Sequence, residues 1–188
     1  MKKLFIFLAI VKYLFLPLFV SGQVQVYGRY TLDGTIEPDV NVFISKPFSD
    51  SSKFSFTSFT LVEQNWAEAL VGLSYSPKSW LNIGLSAGIE HNPALYRFAG
   101  SVWLGKDRSS LLFLWEKGDG NDNYWYKTTA LYDISTKVSL GAIAWRFHGI
   151  GPVAIYNVRK LDSKFWVMPA HDFEFNENRV MFGVDIGI

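Results

Sequence analysis

The ten residues Arg179-Val-Met-Phe-Gly-Val-Asp-Ile-Gly-Ile188 decide how the rest of the chain is read. In an extended chain Val180, Phe182, Val184, Ile186 and Ile188 share one side, and Arg179, Met181, Gly183, Asp185 and Gly187 share the other. A period of two, with one bulky apolar face and one small or polar face, marks a strand that meets two different environments.

The opposite end of the sequence supplies the context. Lys2 and Lys3 precede a nearly unbroken apolar run from Leu4 to Val20, and Val20-Ser21-Gly22 suits signal-peptidase cleavage before Gln23. Residues 1–22 are therefore expected to be a signal peptide, and 23–188 a single β-barrel domain. The alternative is a retained anchor helix, for which the run is short and burdened by Lys12. No cysteine follows the run, so lipoprotein attachment is excluded. Behind such a leader, the 179–188 strand resembles the closing strand of a small bacterial outer-membrane β-barrel. That resemblance, to a general class with no particular activity, implies an all-β, closed, antiparallel, up-and-down transmembrane barrel in a Gram-negative outer membrane. It also implies outer-membrane lipids as surroundings and the barrel-insertion machinery as a partner in biogenesis.

Composition narrows the function classes. Without the three lysines of the leader, 15 Lys and Arg stand against 17 Asp and Glu, a balance of −2 with no basic stripe. No nucleic-acid partner is expected. The absence of cysteine removes disulfides and thiolate metal sites.

Alternating runs recur after residue 22. They are clearest at 23–32, 81–90, 95–104 and 137–144, with further strands expected near 40–48, 53–62, 66–76, 109–116, 123–133, 152–160 and 163–168. With the terminal strand these make twelve; ten is the alternative. Phe54, Phe56, Phe59 and Leu61 switch parity, which predicts a bulge near Thr57–Ser58. Closure of the sheet predicts that Gln23–Leu32 pairs with Val180–Ile188, because an open edge in a bilayer leaves a row of amides unpaired. The longest connections are expected at Asp33–Asp39, Lys117–Asp122 and Pro169–Asn178, all odd-numbered and so outside in this class.

Alternation alone does not say which face is buried, and a soluble sandwich or lipocalin-like barrel would invert the arrangement. Three features favour lipid outside. Aromatics are 17% of the chain and many fall near strand ends, including Tyr30, Trp66, Tyr75, Trp80, Trp115, Tyr124, Trp145 and Trp166, as interfacial girdles do. Polar faces are rich in Gly, Ser and Asn rather than Lys and Glu. Charged residues are 19%, below the roughly 25% of soluble domains.

Two constellations could carry function. His91, His148 and His171 each fall in an odd connection, with Glu90, Asp172 and Glu174 nearby. Rim hydrolase or metal chemistry would need these to converge, and the plain alternative is three solvated loop histidines. The other constellation is the lumen, toward which Arg29, Glu68, Arg97, Lys127, Arg159 and Asp185 should project, with Trp103, Phe113 and Trp125 narrowing it. Enclosed mixed charges pair with one another or line a polar path. Lys117–Asn123 is oxygen-rich but lacks the closing glutamate of a calcium loop, so a hairpin tip is expected. No cofactor and no metal is expected. The first functional expectation is a non-enzymatic barrel, either a narrow solute pathway or a plugged structural one. An outer-rim lipid-directed enzyme and a soluble exported barrel binding an apolar ligand are the alternatives.

Overall fold

The computed structural model describes residues 21–91 and 96–188; most of the expected leader lies outside the described residues. The first six strands are β1 (Ser21–Thr31), β2 (Ile36–Pro47), β3 (Phe54–Glu63), β4 (Ala67–Lys78), β5 (Leu81–Glu90) and β6 (Arg97–Lys106). The second six are β7 (Ser109–Gly118), β8 (Tyr124–Asp133), β9 (Val138–Trp145), β10 (Gly149–Val158), β11 (Ser163–Asp172) and β12 (Glu177–Gly187). Each strand pairs antiparallel with the next, and β1 pairs with β12 to close the barrel. The closure register runs from Gln23 opposite Gly187 to Thr31 opposite Arg179, as the terminal alternation predicts. β1 starts at Ser21, two residues before the expected boundary, and Gly22 and Ile188 exchange backbone hydrogen bonds of 3.0 Å.

The register also settles which face is outside. Val180, Phe182, Val184 and Ile186 lie on the exterior with Val24 and Val26, while Tyr27, Met181 and Asp185 lie on the interior. Leu85, Ile89 and Phe98 are 71%, 63% and 53% exposed on that exterior. An apolar belt of this kind around a closed sheet has no place on a soluble surface, so the soluble inversion is overturned. The architecture is that of a transmembrane barrel.

Three local expectations need correction. β3 runs without a bulge, in register with both neighbours, and the irregularity lies between Tyr75 and Lys78 of β4. Phe59 and Leu61 keep their parity and face inward, because the interior has an apolar layer of its own. The connections at 32–35 and 173–176 are short, since β2 begins at Ile36 and β11 continues to Asp172. Pro38 and Pro169, placed by the sequence in connections, sit in strands near their ends, where a missing ladder hydrogen bond is tolerated. The expected contrast between long odd and short even connections is therefore weak. Trp145 and Trp166 do not join a girdle; both are buried inside, at 3% and 7% exposure. Phe113 faces out, whereas Trp103 and Trp125 share the inward side with Ser101 and Lys127.

Candidate functional site: the layered lumen

The interior is built in layers. We call the end holding the turns after β1, β3, β5, β7, β9 and β11 the loop end, and the other the terminus end. The middle layer is apolar: Tyr27, Ile143, Trp145, Val153, Trp166, Met168, Ala170 and Met181 form one buried cluster on the β1 and β8–β12 side. Met168 and Met181 face one another in register and are fully buried. Tyr27 and Trp145 have ring centroids 5.2 Å apart, and Trp125 meets Trp145 edge-on at 6.2 Å. Lys127 places its ammonium 3.6 Å from the Trp145 ring centre, a cation–π contact. Gly183 is required here, since a Cβ would lie 2.7 Å from both the Trp166 ring and Tyr27. The opposite wall, on β4–β6, carries mainly small inward residues beside Trp103 and the buried Leu70; Gly72, Ser86, Gly88, Ala99 and Ser101 are half-buried.

Above this layer, at the loop end, three arginines each hold more than one acid and a fourth holds one. Arg97 is 4% exposed and reaches three carboxylates from three different strands. Its Nε lies 2.7 Å from Glu116 and 2.8 Å from Glu68, and its Nη1 lies 2.6 Å from Glu90. Asn123 Nδ2 donates to Glu90 at 2.6 Å while its carbonyl oxygen accepts from Arg97 at 3.1 Å. Arg146 binds Asp122 at 2.9 Å and Glu174 at 2.8 Å. Arg179 binds Asp172 at 2.8 Å and Glu177 at 2.7 Å, and Arg29 pairs with Glu37. Asp39 is 1% exposed and faces the Glu63 carboxyl across the β2–β3 pair.

The β9–β10 turn folds into this layer rather than away from it. Phe147 (φ 67°) and Gly149 (φ 104°) adopt left-handed conformations that reverse the chain within three residues. The Phe147 carbonyl accepts from Arg29 Nη1 at 3.1 Å and Arg179 Nη1 at 2.5 Å, so the two adjacent strands β1 and β12 clamp the turn. His148 is consequently buried, stacked on Trp145 at 4.1 Å, and not solvated. Its Nδ1 lies 3.1 Å from the Arg146 carbonyl, which requires the proton on Nδ1 and leaves Nε2 without a partner.

Burial above all, reinforced by the fields of Arg29, Lys127 and Arg179 and opposed by the Arg146 carbonyl, pushes the His148 pKa down to about 3. The unfolded chain binds that proton near pH ~6.5. Stability is thus unaffected above that value and falls as pH drops from ~6.5 toward 3, by about 1.4 kcal/mol per unit. Replacement of His148 by Phe is expected to remove this slope, read as the urea midpoint at pH 7, 5 and 4. An unchanged slope would place His148 in contact with water.

The three histidines do not converge. His148 points inward. His171 lies within β11, not in a loop, on the exterior opposite Ile150, with Asn178 Oδ1 2.9 Å from its Nδ1. His91 follows β5 and is exposed. Among the described residues no group of three or more His, Asp or Glu is arranged to hold a metal ion. Of the lumen candidates, Arg29, Glu68, Arg97, Lys127 and Asp185 do line the interior. Arg159 lies past the strand, at the terminus-end mouth: β10 ends at Val158, and Arg159 opens a short 3₁₀ turn (Arg159–Leu161) that turns back at Asp162 (φ 44°). It lies there at the rim of a depression of about 730 Å³, with Arg108, Asp133, Asn157, Ser163 and Lys164. The Lys117–Asn123 segment is a hairpin tip closed by the Lys117 ammonium on the Gly120 and Asn121 carbonyls.

Sequence reasoning missed Glu90, Glu116, Arg146 and Arg179 as a network with Arg97 and Arg29. Glu90 and Glu116 share the inward parity of their strands, so their side was legible. Their convergence on Arg97 was not, because it depends on register across three strand pairs.

A closed antiparallel barrel with an apolar exterior and an ion-lined interior is the architecture of transmembrane β-barrels. No protein-family model matches this chain, and no curated protein sequence matches it. Solved structures do share its fold. The KdgM porin aligns with a TM-score of 0.59 at 15% identity, covering 87% of this chain and 98% of that one. A KdgM porin in complex with disordered oligogalacturonate aligns at 0.58 and 16% identity, covering 88% and 98%. The NanC porin aligns at 0.54 and 11% identity, covering 87% and 98%. At these identities the likeness is one of fold.

Proposed function

We propose that the protein is an exported, non-enzymatic barrel of the Gram-negative outer membrane that admits small ions and water, and not extended solutes. The observation that carries this reading is the layered lumen. One side is filled by the aromatic and methionine cluster, and the loop end is crossed by the arginine–carboxylate network and an inward turn. The β4–β6 wall keeps half-buried Gly, Ser and Ala residues along which a narrow polar strip can run. The outer-membrane location is supported by the closed sheet, the apolar exterior and the porin fold, with residues 1–22 as the export leader. Outer-membrane lipids then surround the belt, and the barrel-insertion machinery delivers it.

The polyanionic oligogalacturonate of the KdgM complex suits this lumen poorly. Its path would meet Glu68, Glu90 and Glu116 around one arginine. A second reading, a plugged structural barrel, is favoured by the complete burial of Met168 and Met181. Conductance of the refolded protein in planar bilayers separates the two. Steps well below those of wide 16-stranded porins are expected, and a silent trace at high protein selects the plug. Heat-modifiable gel migration in detergent and outer-membrane fractionation test the location.

A further inference from the structure

The charges of this barrel are sorted by end. The loop-end segments 29–39, 63–68, 90–97, 116–123, 146–149 and 171–179 hold twelve Asp and Glu against five Lys and Arg, a net −7. The terminus-end segments 44–55, 76–81, 104–110, 132–138, 157–164 and 185–188 hold five Asp against nine Lys and Arg, a net +4. Lys127 alone remains after the leader. The near-neutral balance of the whole chain therefore conceals two strongly and oppositely charged mouths.

Ion pairing does not erase the negative end. Acids outnumber basic residues there twelve to five, and Arg97, Arg146 and Arg179 each face more than one of them. Distance does not erase the polarity either. The two ends are separated by roughly the 25 Å height of the apolar band, more than twice the ~10 Å screening length at 0.1 M salt. Low-dielectric walls focus each field into its own mouth.

We propose that the barrel conducts asymmetrically, as a bipolar pore with a cation-gathering loop mouth in series with an anion-gathering terminus mouth. This rests on the channel reading above. With the loop side positive, cations enter from the loop mouth and anions from the terminus mouth, so both accumulate inside and current is high. With the loop side negative, both are drawn out, the lumen is depleted, and current falls. The species passed are small monovalent ions; a polyvalent cation such as spermine should lodge at the loop mouth and block from that side alone.

The test is the current–voltage curve of the full-length barrel in planar bilayers in KCl. The chain has no cysteine, so Asn121→Cys in the exposed β7–β8 tip gives each insertion a side without altering its charge, read by one-sided addition of a charged thiol reagent. At 0.1 M KCl, current with the loop side positive is expected to exceed that at the opposite voltage by roughly twofold or more. At 1 M, where the screening length is ~3 Å, the ratio should approach one. A variant with Asp33→Asn, Asp119→Asn, Glu174→Gln and Glu177→Gln takes the loop end from −7 to −3 and should lower the ratio. Lys78→Gln, Lys106→Gln and Lys160→Gln should lower it from the other end. The wild-type salt series needs no variant to fold. Conducting steps with a linear curve at 0.1 M, or the opposite polarity, overturn the inference and leave the channel reading standing. A silent trace overturns both.

Discussion

Replacing Arg97 with methionine is expected to destabilise the barrel by about 3–5 kcal/mol, the usual consequence of stripping the counter-ion from buried charges. Glu68, Glu90 and Glu116 have side chains only 2%, 0% and 9% exposed, so water cannot replace the guanidinium. Lysine should recover little, because one ammonium cannot reproduce an Nε and Nη1 fork directed at three acids. Combining Arg97→Met with Glu68→Gln, Glu90→Gln and Glu116→Gln removes the orphaned charges and should regain most of the loss. The measurement is the urea midpoint by tryptophan fluorescence in detergent, alongside protease cleavage of the loop after β7. A loss below about 1 kcal/mol, the scale of exposed pairs, would show that the cluster is hydrated and is not a structural clasp.

The second large effect concerns Trp145. Its indole stacks on His148, meets Tyr27 and Trp125, and carries the Lys127 ammonium on its face. Trp145→Ala should lower stability by about 3–5 kcal/mol, as large-to-small changes in packed cores do. In the same step it opens the middle layer, so the unit conductance should rise several-fold. Trp145→Phe is the control. The indole N–H is buried without a hydrogen-bond partner, so its removal costs little and packing is largely kept. A stability loss with unaltered conductance would mean that the ion path does not touch this layer.

How far each feature could be read from the chain depended on how local its cause is. The twelve strands, the outward Phe182 and Val184, and the pairing of β1 with β12 follow from a period of two and from the need to satisfy every amide. Arg29, Glu68, Arg97, Lys127 and Asp185 were placed inward by parity alone. Parity held in β3 and it was the equation of apolar with outward that failed, since Phe59 and Leu61 face the lumen. Trp145 and Trp166 were misread as girdle residues because tryptophan at a strand end looks the same from either side. The histidines were grouped by their shared loop parity, yet an inward-folded turn buries His148 while His171 stays on the outer face.

Side-chain alternation along each strand is a local property, and so the amino-acid order alone was enough to specify a closed sheet with lipid-compatible groups outside and charges within. The identity of each charge's partners is a non-local property. Arg97 gathers acids from β4, β5 and β7, and Arg29 and Arg179 clamp a turn more than thirty residues from either. Those meetings exist only once strand registers are set around the whole ring, because a one-residue slip in any pair would send the carboxylate to the opposite face.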